Sequence, residues 1–167
     1  MVLSDQKNLK LLLCRHADAR FPEKGQHDFF RSLSEVGIIE LEQGKKWLLQ
    51  HITEPPKIFC SAAERTTRTA TILASVFTGL AAVREKELYN CSAKGLLRFV
   101  NNYAGTDRFL MLVAHNPGIS QFASDLSGNY MGFATSQMVL LELFADSWPE
   151  VSFGAAEVKK VFVPAEI

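Results

Sequence analysis

The run Phe109-Leu-Met-Leu-Val-Ala114 constrains the fold more than any other stretch, because it is apolar at every position. A short, continuous apolar run is typical of a strand buried on both faces, as in a parallel sheet that helices cover on both sides. The run stops at His115-Asn-Pro-Gly118, where proline suits the start of a helix and glycine allows a close backbone approach. The pattern predicts a strand over 109–114 and a helix over 119–126.

Two further apolar runs end as abruptly, since Lys10–Cys14 stops at Arg15-His16 and Lys57–Cys60 stops at Ser61. Further predicted elements are the strands 81–84, 137–144 and 153–163 (an edge strand, antiparallel to its neighbour) and the helices 35–51, 62–77 and 93–103. Alternating strands and helices predict one α/β domain over residues 1–167, a three-layer α/β/α sandwich with a mostly parallel central sheet. Residues 1–8 are expected to form a loose tail, and residues 17–32 a loop.

Composition narrows the classes of partner. The chain has 167 residues with 18 acidic and 18 basic side chains, so the formal net charge is zero. A balanced charge argues against a broad nucleic-acid-binding or membrane-binding surface, and neither partner is expected. Three widely spaced cysteines without a Cys-x-x-Cys pair, together with a polar N-terminus, indicate reduced thiols in a cytoplasmic protein.

Polar side chains follow three of the predicted strands where each strand ends. Arg15 and His16 follow the first, Ser61 with Arg65 follows the second, and His115 with Asn116 follows the run at 109–114. Because the carboxyl ends of parallel strands lie along one edge of a sheet, where ligands bind, these groups are expected to converge on one pocket. Arg68, one turn beyond Arg65, is expected to be a structural or rim residue.

Two imidazoles and two guanidinium groups are suited to phosphoryl chemistry. The planar fork of arginine matches the oxygens of a phosphoryl group, and a neutral imidazole is a nucleophile. His16 could therefore attack phosphorus and form a phosphohistidine that water hydrolyses. No metal or other cofactor is required, because Arg15 and Arg65 can supply the positive charge. A zinc site formed by His16, His115 and the cysteines stays a weak alternative, since no ligand spacing supports it.

The segments Leu-Leu-Cys-Arg15-His16-Ala, Ser61-Ala-Ala-Glu-Arg65-Thr-Thr-Arg-Thr-Ala70 and Leu-Val-Ala-His115-Asn-Pro-Gly resemble the histidine phosphatase (phosphoglycerate mutase-like) superfamily. The resemblance runs from about Lys10 to Phe144 and is closest to the small SixA-type phosphohistidine phosphatases. Asp28-x-x-Arg31-Ser-Leu-Ser-x-x-Gly37 is similar to the family's Arg-Pro-Leu-Thr/Ser segment, with Ser32 where proline is usual. Ala17 stands where many larger members have glycine.

The resemblance implies that His16 accepts the phosphoryl group and that Arg15, Arg65 and His115 complete the phosphate pocket. Arg31, Ser61 and Asn116 are expected to bind the substrate, with Arg31 at the rim. For the general acid, Glu87 is the best candidate and Asp18 the second. SixA-type enzymes manage without a strong acid, because a phosphoramidate leaving group is easily protonated.

The expected function is a metal-independent phosphatase that acts through a phosphohistidine on His16. Short loops and the lack of an inserted cap favour a protruding phosphate, such as that of a histidine-phosphorylated protein domain. A broad small-molecule phosphomonoesterase and a non-catalytic phosphate-binding protein remain as alternatives. A mutase is a weaker possibility, because little sequence is left to close over a bisphosphate.

Overall fold

A computed structural model describes residues 8–166, and its strands and helices alternate as predicted. The expected loose tail lies outside the described residues except for Asn8, whose side chain donates to Glu142. The elements are β1 (Leu9–Arg15), α1 (Glu35–His51), β2 (Lys57–Ser61), α2 (Glu64–Ala74), β3 (Val83–Glu85), α3 (Ala93–Asn101), β4 (Phe109–Ala114), α4 (Gly118–Ser127), β5 (Met138–Leu143) and β6 (Ala156–Phe162). Short 3-10 turns lie at Asp28–Phe30, Lys86–Leu88 and Trp148–Glu150.

The six strands form one sheet in the order β3-β2-β4-β1-β5-β6. The pairs β1–β4, β2–β4 and β2–β3 are parallel, and the register places Arg15 beside Ala114. The pairs β1–β5 and β5–β6 are antiparallel, so β6 is the antiparallel edge strand that the sequence predicted. The mostly parallel sheet is confirmed, whereas the antiparallel direction of β5 beside β1 was not predicted.

The strands are buried on both faces by different helices. Leu12 and Met111 belong to a core cluster with residues of α1 and α2, whereas Leu11 and Leu112 belong to a second cluster with residues of α3 and α4. Each fully buried leucine contributes about 1.5–3 kcal/mol of transfer free energy. The continuous apolar runs are explained by this double burial, and the three-layer α/β/α class is confirmed.

N-cap serines account for the starts of two helices, α1 and α3. The Ser34 and Ser92 side chains accept hydrogen bonds from the third residue of α1 and of α3, as N-cap serines do. Helix α2 has no such side-chain cap and begins at Glu64 rather than at the predicted residue 62. The reason is tertiary: the Ala62 N–H donates to the carbonyl of Glu85, so Ala62 continues the pairing of β2 with β3 instead of starting the helix.

The start of α1 is docked on the loop that follows β1. The Ser34 N–H donates to the backbone carbonyl of Asp18 over 3.0 Å. A Cβ atom at Gly37 would lie 2.2 Å from that same carbonyl oxygen, so only glycine fits this approach. The contact fixes the backbone at Asp18, just beyond Arg15 and His16.

No helix within residues 8–166 is long and apolar enough to cross a membrane.

Candidate active site

The carboxyl ends of β1, β2 and β4 meet at a cavity of about 310 Å³. Polar side chains dominate its wall, as expected for a site at this edge of a parallel sheet. The lining residues are Arg15, His16, Asp18, Ala19, Asp28, Arg31, Arg65, Asn90, His115, Asn116 and Thr135. The structure therefore brings together the two histidines and the arginines that the sequence placed at separate strand ends.

His16 is held by its backbone and by one ring nitrogen. Its N–H donates to the carbonyl of Ala114 at the end of β4, and its carbonyl accepts from the N–H of Ser136. The ring Nδ1 lies 2.8 Å from the carbonyl of Ala17, while Nε2 accepts from Nε of Arg65 over 3.3 Å. With 9% of its surface exposed, the imidazole presents little more than its Nε2 side to the cavity.

His115 stands beside His16, with the two ring centroids 5.2 Å apart and the rings nearly edge to face. Its Nδ1 accepts from Nη2 of Arg65 over 3.3 Å. On the other side of the ring, Nε2 lies 2.7 Å from the hydroxyl of Ser61. Ser61 is fully buried and lies behind His115 rather than in the cavity wall.

The tautomers of both histidines follow from Arg65, because a guanidinium group can only donate. The nitrogens that face it, Nε2 of His16 and Nδ1 of His115, must therefore carry lone pairs. It follows that Nδ1–H of His16 donates to the carbonyl of Ala17 and that Nε2–H of His115 donates to Ser61 Oγ. The network leaves the nucleophilic lone pair of His16 on Nε2, at the cavity.

Both imidazoles are uncharged at neutral pH. Burial, followed by the positive charges of Arg65, Arg15 and Arg31, lowers the pKa of His16 to about 4, although its hydrogen bond to the backbone opposes this. Burial, followed by His16 and Arg65, lowers the pKa of His115 to about 3. A neutral His16 keeps the lone pair that attack on phosphorus needs.

Arg65 is buried and uses two edges of its guanidinium group. Nε and Nη2 face the two histidines over 3.3 Å each. Nη1 donates to the backbone carbonyl of Asp28 over 2.7 Å, and Nη2 donates to the Asp28 carboxylate over 2.9 Å. Asp28 itself lies on the 3-10 turn of the loop between β1 and α1.

Asp28 is the main site residue to which sequence reasoning gave no role. Its carboxylate accepts from Arg65, from Nη1 of Arg31 over 3.2 Å and from the Tyr89 hydroxyl over 2.8 Å. Burial raises the pKa of this carboxyl, but the hydrogen bonds from Tyr89, Arg65 and Arg31 outweigh it and hold the pKa well below its usual range. The sequence feature that could have pointed to Asp28 is its position three residues before Arg31 in the Asp28-x-x-Arg31 segment.

Arg15 and Arg31 complete the positive wall. Nη1 of Arg15 donates to the carbonyl of Phe133, whereas its Nε is the one buried side-chain nitrogen or oxygen of the described chain that has no hydrogen-bond partner. Arg31 lies in the wall and is tied to the carbonyls of Arg20 and Ala19.

The remaining predicted residues fall inside and outside the cavity. Asn116 lines it, but its amide donates to the carbonyl of Phe133. Asp18 also lines it, and its carboxylate accepts from the Ser34 hydroxyl. Glu87 is exposed on the 3-10 turn after β3 and is not brought to the cavity. Arg68 lines a neighbouring groove with Phe29 and Phe30.

Within residues 8–166, no group of three or more His, Cys, Asp or Glu side chains is placed to hold a metal ion. Cys14 and Cys60 are buried members of the core cluster beneath α1 and α2. Burial raises the pKa of the Cys60 thiol to about 11. The two thiols are thus neutral packing groups.

The geometry suits binding and transfer of a small oxyanion. A nucleophilic imidazole nitrogen lies next to the donor edge of Arg65, with a second imidazole beside it and two further guanidinium groups in the wall. Charge-assisted donors arranged around one cavity stabilise the charge that develops on phosphoryl oxygens.

No family model matches the sequence. The chain is 26% identical over 151 residues to an uncharacterized chloroplast protein of Arabidopsis thaliana, and the match covers 84% of this chain and 69% of that protein.

Solved structures show the fold. The SixA protein of Agrobacterium tumefaciens matches with a TM-score of 0.81 at 24% identity, covering 94% of this chain and 99% of that one. The protein histidine phosphatase SixA in complex with tungstate matches with a TM-score of 0.74 at 18% identity, covering 93% and 97%. The chain therefore has the fold of the SixA-type histidine phosphatases, which the sequence motifs had predicted.

Proposed function

We propose that the protein is a phosphatase that transfers a phosphoryl group to His16 Nε2 and then to water, and that its substrate is a phosphohistidine on a protein. The observation that carries this proposal is the unprotonated Nε2 of His16 beside Nε of Arg65 in a cavity lined by three guanidinium groups. The solved SixA structure that shares the fold is complexed with tungstate, a tetrahedral oxyanion, which supports an oxyanion as ligand.

The first step forms a bond from His16 Nε2 to phosphorus and breaks the bond from phosphorus to the leaving group. The leaving group takes the bonding electron pair. In a phosphohistidine whose second ring nitrogen is protonated, that pair neutralises the imidazolium, so a neutral imidazole departs without an external acid. Arg65 and Arg15 stabilise the negative charge on the transferred oxygens.

The second step returns His16 to its starting state. Water adds to phosphorus, the Nε2–P bond breaks and its electron pair returns to Nε2, while the proton of the water leaves to solvent. His115, neutral and held by Ser61, lies beside the site and orients the groups around the transferred phosphoryl. No step draws on Glu87, which lies outside the cavity.

The neighbouring cavity supports a substrate with a single phosphoryl group. It measures about 380 Å³ and shares Asn90 and Asn116 with the first cavity. None of the described residues that line it carries a charge. A second phosphate there would have no lysine or arginine to bind it, which disfavours a mutase that handles a bisphosphate.

The test is His16→Ala, with His51→Ala as the matched control, because His51 is a histidine at the far end of α1. We expect wild type and His51→Ala to release phosphate from a phosphorylated histidine protein and from p-nitrophenyl phosphate, and His16→Ala to release none. Wild type quenched after exposure to a labelled donor should carry an acid-labile, base-stable phosphoryl group on His16. A wild-type protein that binds phosphate but acquires no label and releases none would establish the binding-protein alternative instead.

A further inference from the structure

We infer that Asp28 is a positioning residue: it clamps the outer edge of Arg65 so that the inner edge of the same guanidinium group faces His16 and His115. The inference rests on the proposed function and assigns a task to a residue that the sequence motifs leave without one. Asp28 reaches Arg65 across 37 positions of sequence, so the contact depends on how the loop after β1 folds over α2.

The two edges of Arg65 are occupied by different kinds of acceptor. The outer edge donates to the carbonyl and the carboxylate of one residue, Asp28, at 2.7 and 2.9 Å. The inner edge donates to the two neutral imidazole nitrogens at 3.3 Å each. Because N–H donors prefer distances of about 2.9–3.0 Å and bonds to charged acceptors are stronger, the outer contacts are strong and the inner contacts weak.

This asymmetry determines which contacts yield when a phosphoryl group enters. Its oxygens can displace the weak donor–imidazole contacts on the inner edge, while the strong pair with Asp28 keeps the plane of the guanidinium group in place. The lone pair of His16 is released for attack by the same exchange. An arginine that is already fixed in place needs no reorganisation when negative charge develops on the transferred oxygens.

Asp28 is held in turn by two other donors. Arg31 donates to one carboxylate oxygen and the Tyr89 hydroxyl to the other, so both oxygens are used. These donors keep the carboxylate ionised, and an ionised group has no proton to give to a leaving group. Its place in the network is therefore that of a support for Arg65 rather than that of a general acid.

The opposite possibility is that Asp28 merely competes with phosphate for Arg65. The two possibilities predict opposite changes on removal of the carboxylate. A competitor that is removed raises kcat/KM, whereas a support that is removed lowers kcat, because a reacting group misplaced by about 1 Å can cost about 100-fold in rate.

The experiment compares Asp28→Ala and Asp28→Asn with Glu23→Gln, a control that removes an exposed negative charge from the same loop. We expect Asp28→Ala to lower kcat for p-nitrophenyl phosphate by about 100-fold with little change in KM. Asp28→Asn should lose less, because its amide oxygen can still accept from Arg65 and Tyr89, and only the contact with Arg31 is lost to the amide nitrogen, which is itself a donor. Glu23→Gln should match wild type.

A second readout tests the inference without turnover. The Nε–H of Arg65 donates to His16 and should give a resolved, slowly exchanging NMR signal in wild type, which Asp28→Ala loses. A rise in kcat/KM, an unchanged kcat, or an Arg65 signal that survives in Asp28→Ala would each overturn the inference. If wild type proves inactive, the proposed function fails, and the Arg65 signal still decides whether Asp28 positions that side chain.

Discussion

Ser61→Ala separates the role that the structure gives Ser61 from the role that the sequence predicted. As a substrate-binding residue, Ser61 would contact the phosphate and its loss would raise KM. In the structure its hydroxyl lies behind the cavity wall and accepts from Nε2–H of His115 at 2.7 Å. We therefore expect Ser61→Ala to lower kcat and to leave KM nearly unchanged.

The magnitude follows from the buried donor that the substitution leaves. A buried N–H without an acceptor costs about 1–3 kcal/mol. His115 can avoid that cost by moving its proton to Nδ1, but that proton would then face Nη2 of Arg65, which is also a donor. Ser61→Ala therefore raises the free energy of the productive tautomer by about 1–3 kcal/mol. Because the contact with Arg65 also penalises the other tautomer, the population of the productive tautomer falls by at most a factor of about 150.

The assay is steady-state hydrolysis of p-nitrophenyl phosphate, with thermal unfolding measured on the same samples. Ser75→Ala is the matched control, because Ser75 is an exposed serine at the end of α2 that bonds only to the preceding turn in the described contacts. A loss of kcat within the range above, with the control unchanged, is the expected result. A Ser61→Ala enzyme with raised KM and unchanged kcat would refute the orienting role and restore the sequence prediction.

Two further predictions concern the protonation of His16 and the hydrogen bonds of the buried Glu40. The pKa of His16, lowered from 6.5 to about 4, should appear in an NMR titration of the imidazole, and an imidazole that titrates near 6.5 would contradict the buried geometry. The stability of the fold should decline as the pH falls from 6.5 through 4, because the unfolded chain takes up the proton first. The buried Glu40 carboxylate accepts from the Asp18 N–H and from the hydroxyls of Thr135 and Ser136. In denaturant unfolding, Glu40→Leu should therefore lower the free energy of unfolding by at least about 1–3 kcal/mol. Glu40→Gln, which can still accept from Asp18, should lower it by less. Equal losses in the two variants would count against this account.

The strands and helices that depend on local pattern were predicted well. Strand β4 and helix α1 have the predicted bounds, because an apolar run and an N-cap serine are complete within their own segments. Helix α2 and strand β3 were placed less accurately, since the bond from Ala62 to Glu85 decides where α2 begins. Local sequence patterns do not indicate such long-range hydrogen bonds.

The chemistry of the site could be predicted, but its orientation could not. Strand ends located the histidines and Arg65, because parallel topology alone brings them to one edge. Which way the guanidinium group turns depends on Asp28, and the guanidinium group in turn decides which ring nitrogen of His115 carries the proton. The acid that the sequence favoured, Glu87, was chosen by its position after β3, and the structure places it on an exposed turn.

The antiparallel direction of β5 brings to the site a segment that no sequence motif predicted. An antiparallel neighbour begins where its partner ends, so Met138 at the start of β5 pairs with Cys14, next to Arg15. The residues just before β5 must then lie at the carboxyl end of β1. There the Phe133 carbonyl accepts from the side chain of Arg15, and the N–H of Ser136 donates to the carbonyl of His16. Had β5 run parallel to β1, this segment would lie at the opposite edge of the sheet, and the Arg15-His16 pair would lack these backbone and side-chain contacts.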